Sequence, residues 1–112
     1  MNEAGIAEAI GRRLPIGEDG KPAEWPSQPG DYVGPVYGYT GDKPAVFFLL
    51  PIARDEDAPP HARSVHHVTS PPHTFTEDAD GLTISASILT RAAGDGAEIW
   101  HGYLEHGTWR QA

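Results

Sequence analysis

Between two turn signals, "DADG" at 78–81 and "RAAGDGAE" at 91–98, stands "LTISASILT", where Leu82, Ile84, Ala86 and Ile88 alternate strictly with Thr83, Ser85 and Ser87. Successive side chains leave a pleated strand on opposite faces, so this period of two buries one row and turns the other to water or a partner. "AVFFLLPI" at 45–52 is a continuous apolar run of strand length, rich in side chains that favour sheets, and reads as the central strand. "DYVGPVYGYT" reads as a strand carrying glycines, with Pro35 marking it as an edge or irregular strand. "SVHHVTS" is a short strand closed by Pro71 and Pro72, "HTFTED" continues in extended form, and "IWHGYLEHGTWRQA" is a terminal hairpin with Gly107 as the left-handed residue of a three-residue loop.

The N-terminal segment reads differently. In "NEAGIAEAIGRRLP" Ile6, Ile10 and Leu14 stand four apart, with acids early and Arg12 and Arg13 late, which predicts a short amphipathic helix over residues 1–14 stopped by Pro15. Residues 15–31 read as a loop, in which Trp25 is either an anchor on the core or an exposed contact. "ARDEDAPPHARS" reads as a charged, exposed loop. The expected fold is therefore mainly β, a β-rich α+β chain: one domain over 1–112, with an antiparallel sandwich or open barrel at 32–112 and a short N-terminal helix docked against it.

Sixteen acidic against eight basic residues give a net charge of −8, which removes the electrostatic basis of phosphate-backbone binding. Nucleic acid is not an expected partner, although an acidic inhibitor that imitates nucleic acid is an alternative reading. No cysteine is present, so thiolate zinc sites, disulfides and thiol nucleophiles are excluded. Without an apolar leader or a run of about 18–20 apolar residues, a cytoplasmic protein with no membrane contact is expected.

The histidines are the candidate chemistry. His66 and His67 diverge from an extended strand, so at most one joins a given site, and His101 shares a face with Ile99 and Tyr103. His67, His73 and His101, or two of them with Glu77 or Glu98, form a permissible zinc set. No CxxC or HExxH spacing requires it, and histidines bonded to carbonyls or hydroxyls account for the same residues, so no cofactor is expected. Ser85 or Ser87 with His67 or His101 and Asp80 would make a triad by count alone, with no nucleophile elbow beside it. Tyr37, Tyr39, Trp100, Tyr103 and Trp109, with Tyr32 and Trp25, exceed what one small core readily absorbs and suggest an aromatic contact patch.

Taken in order, "HHVTSPPHTF", "DGLTISASI" and "WHGYLEHGTW" resemble an uncharacterised family of small proteins encoded by bacteriophages and their bacterial hosts, over residues 64–110. The family has no assigned biochemical activity to carry over, and the resemblance implies binding or modulating a host or virion protein over carrying out chemistry. A homodimer is compatible with such a protein. Broader relatives look metal-binding through Cys and His near the first and last of these strands, which would place His67, His73 and His101 where cysteines are missing here.

Overall fold

A computed structural model describes residues 8–51, 64–91, 96 and 98–112. Among them stand nine strands: β1 (Glu8–Ile10), β2 (Arg12–Arg13), β3 (Asp31–Thr40), β4 (Lys43–Phe48), β5 (His66–Thr69), β6 (Thr74–Asp78), β7 (Gly81–Arg91), β8 (Glu98–Glu105) and β9 (Thr108–Gln111). They form a five-stranded sheet in the order β1-β9-β8-β7-β6 and a four-stranded sheet in the order β2-β3-β4-β5. All neighbours are antiparallel except β2 and β3, which run parallel.

Alternation decides what each sheet buries. Tyr32, Val46 and Phe48 from one sheet meet Leu82, Ile84, Ile88, Trp100, Leu104 and Trp109 from the other in a single core, joined by Leu50. The Phe48 and Trp109 rings bridge the layers at 5.3 Å. The apolar run at 45–52 does give a strand flanked on both sides, by β3 and β5, as its composition demands.

The described part of the expected N-terminal helix is not helical. Glu8–Ile10 pairs with β9 and Arg12–Arg13 with β3, while residues 1–7 lie outside the described residues. The four-residue spacing does not mark one buried face, because Leu14 is 1% exposed and Ile10 is 87% exposed. Long-range ladders satisfy the backbone here better than a weak helix with Gly11 inside it. The charged loop at 53–63 and most of the turn at 92–97 also lie outside the described residues.

Two further corrections concern local geometry. β7 does not alternate throughout: Ile84 faces Leu104 and Ile88 faces Gly102, so extra residues bulge between them and Ala86 is exposed. The β8–β9 loop has two residues, His106 and Gly107, at φ of 51° and 80°, the geometry of a type I′ turn rather than a three-residue loop. His106 tolerates the left-handed region because its amide donates to Thr83 Oγ1 and its ring engages Asp78.

Pro35 is accommodated as the sequence suggests. β2 pairs only with Asp31 and Tyr32, so the missing N–H of Pro35 costs no ladder bond toward that strand, and the β3–β4 register shifts between Val33 and Val36. Gly34 in that shift has φ of 134°, and a Cβ there would stand 2.6 Å from the Ala45 carbonyl oxygen. Gly34→Ala is therefore expected to cost about 2–3 kcal/mol of unfolding free energy through backbone strain. Urea denaturation of the two chains checks this.

Candidate functional site

The outer face of the four-stranded sheet carries an aromatic group. Phe47 pairs with His67 across β4 and β5, on the side opposite the core-facing Phe48 and Val46. Trp25, carried by the loop between β2 and β3, stands edge-on to Phe47 at 5.1 Å and to Tyr39 at 5.5 Å. Tyr39 and Phe47 close the triangle at 5.5 Å, and His67 lies 5.5 Å from Phe47 in a tilted arrangement. Edge-to-face rings at these spacings stabilise one another by about 0.5–1.5 kcal/mol per pair. Both readings of Trp25 are met: it pins its loop to the sheet and leaves 45% of its surface to solvent. Tyr39 is 41% exposed, and Tyr37 on the same strand 65%.

The expected patch is thereby narrowed. Trp100 and Trp109 are 2% and 1% exposed and belong to the core, where their rings meet at 5.7 Å, so neither faces a partner. Tyr103 lies half-buried on the five-stranded sheet with Arg110 over its ring at 5.2 Å, and Glu105 pairs with that arginine.

The candidate zinc ligands do not meet. His67 projects from the outer face of one sheet, while His101, between the core residues Trp100 and Leu104, projects from the outer face of the other, with the core between them. His73 Nε2 lies 3.3 Å from the Ser87 carbonyl oxygen, which can only accept, so this nitrogen donates; its buried Nδ1 has no partner among the described residues. Glu77 is taken by Arg13. Among the described residues no group of three His, Asp or Glu side chains is placed to hold a metal. The divergence of His66 and His67 is as the alternation requires: His66 sits beside the core-facing Phe48 and His67 beside Phe47.

A second concave region, absent from the sequence reading, lies where the β6–β7 and β8–β9 turns meet the N-terminal strands. It is an open cleft of about 650 Å³ whose lining includes Arg13, Tyr32, Glu77, Asp78, Asp80 and His106. Arg13 donates to Glu77 at 2.9 Å and His106 Nδ1 stands 2.7 Å from Asp78. The Asp80 amide, and after it the His106 ring, hold the Asp78 carboxyl below the usual carboxylate range against the opposing effect of burial. Burial pushes the Tyr32 phenol up despite the Leu82 amide bonded to it. Arg13, Glu77, Asp78 and His106 are thus each spent on an internal partner, and the cleft works as a latch between β2 and the two turns. Asp31 is likewise engaged by Arg12.

Neither Phe47 nor Trp25 could be joined to Tyr39 from spacing alone, since the loop that carries Trp25 has no period. The one sequence signal was an aromatic flanked by polar residues in a loop rich in Gly and Pro. Comparison of the chain with family models, with curated proteins and with solved structures finds no match. Among the described residues no helix is long and apolar enough to cross a membrane.

Proposed function

We propose that this chain is a non-enzymatic binding protein that docks another protein on the outer face of its four-stranded sheet. The observation that carries the reading is the ring triangle in which Trp25 and Tyr39 are exposed around a half-buried Phe47, extended by His67. Tryptophan and tyrosine supply large contact area at small entropic cost, and such rings dominate binding energy where they are desolvated together. A sheet beneath them keeps the rings in place before the partner arrives, which lowers the ordering cost of association. The likeness of residues 64–110 to small phage-encoded proteins favours a host or virion protein as the partner.

A photo-crosslinking amino acid placed at Tyr39, with a control at Tyr103 on the other sheet, tests the reading in bacterial lysate. A discrete protein adduct is expected from position 39 and not from 103, competed away by unlabelled protein but not by its Trp25→Ser/Tyr39→Ser variant. That variant gives up three ring contacts, about 1.5–4.5 kcal/mol together, so circular dichroism must show it folded before it serves as competitor. Equal adducts at both positions, or none at 39, would refute the docking face.

A further inference from the structure

Resting on that docking reading, we infer that the occupant of the face is an arginine-bearing segment of a basic protein. Charge complementarity comes first. The chain carries −8, and the loop that holds Trp25 presents Glu18, Asp19 and Glu24 to solvent against Lys21 alone. Such a field concentrates cationic segments at the surface before contact. The rings then select among cations. The faces of Trp and Tyr attract a guanidinium, which stacks flat and is more weakly hydrated than an ammonium. The protein already uses this pairing once, with Arg110 over Tyr103 at 5.2 Å, whereas among the described residues no cation stands over Trp25 or Tyr39. Tyr103 on the five-stranded sheet has its own arginine, whereas Trp25 and Tyr39 offer the same chemistry outward.

The test is titration of the ¹⁵N-labelled full chain with a hexa-arginine peptide, read at the tryptophan indole N–H signals and at the backbone amide of Tyr39, which also reports in Trp25→Ala. Trp25 is the exposed indole and Trp100 and Trp109 are buried, so the three report separately. The Trp25 signal is expected to move saturably while the Trp109 signal stays. Affinity should fall about fivefold in Trp25→Ala and in Tyr39→Ser, the loss of one cation–π contact, and by a similar factor with hexa-lysine in place of hexa-arginine. The Glu18→Gln/Glu24→Gln variant, which touches no ring, should weaken binding in low salt and lose that difference in high salt. An unmoved Trp25 signal overturns the inference, as does binding that Trp25→Ala and Tyr39→Ser leave unchanged, which would be unspecific charge attraction. Movement with a neutral proline-rich peptide but not with hexa-arginine also overturns it, yet leaves the docking face standing. The crosslink at position 39 judges that face independently.

Discussion

Truncation of Trp109 to alanine is expected to remove about 3–5 kcal/mol of unfolding free energy, a large share of the 5–15 kcal/mol typical of a domain. The side chain is 1% exposed, its ring meets Phe48 at 5.3 Å and Trp100 at 5.7 Å, and its Nε1–H donates to the Gly30 carbonyl at 2.8 Å. The indole therefore fills the space between the sheets and also fixes the end of the Trp25 loop. Trp109→Phe separates the two roles: most of the apolar area stays, and the Gly30 carbonyl keeps only the longer bond from the Arg12 amide at 3.4 Å, a loss of about 1 kcal/mol. Urea midpoints of the three chains measure both losses. A change below about 1 kcal/mol for Trp109→Ala would contradict its place in the core.

The second large effect is expected at Asp31, which is 1% exposed and accepts four hydrogen bonds: two from the Arg12 fork at 2.9 and 2.8 Å, and one each from the amides of Ser27 and Gln28. Asp31→Ala strips both amides of their acceptor and is expected to cost on the order of 3 kcal/mol. Burial alone would raise the Asp31 pKa, but Arg12 and the two amides outweigh it and hold the carboxyl below its usual range. The sign follows from linkage. A carboxyl with a depressed folded-state pKa stabilises the fold above its unfolded value, near 4, and that contribution is lost as pH falls through the lower folded value. Stability should thus drop steeply below about pH 4 in the parent chain. Asp31→Asn, which does not titrate, should show a flatter acid limb in urea midpoints taken between neutral pH and the acid limb. Equal acid limbs would mean that Asp31 is not the responsible group.

How much of this was legible in the sequence depended on range. β7 could be read from its own period because one strand face is buried regardless of its neighbours, and β4 from its unbroken apolar run. His66 and His67 could be assigned to different faces for the same local reason. The bulge at Ala86 could not, since it is set by the register against β8. The N-terminal reading failed where a weak local pattern competed with ladders to residues far along the chain. Trp100 and Trp109 could be counted as aromatics but not sorted into core and surface until the sheets were stacked. The ring triangle was hidden by range as well: Trp25 comes from a loop, Tyr39 from β3 and Phe47 from β4. The Arg12–Asp31 clamp needed the parallel pairing of β2 with β3 to bring its members into register.

The pairing of Glu8–Ile10 with Thr108–Arg110 also bears on how the chain is made. The first described strand is synthesised about a hundred residues ahead of β9, its ladder partner among the described residues, so it must remain unmated until β9 has emerged. Contacts of such sequence separation carry the largest loop-closure cost and slow the approach to the native topology. The two sheets can grow from local hairpins as they appear, but the seam at β1 must wait for β9, the described strand farthest from it along the chain.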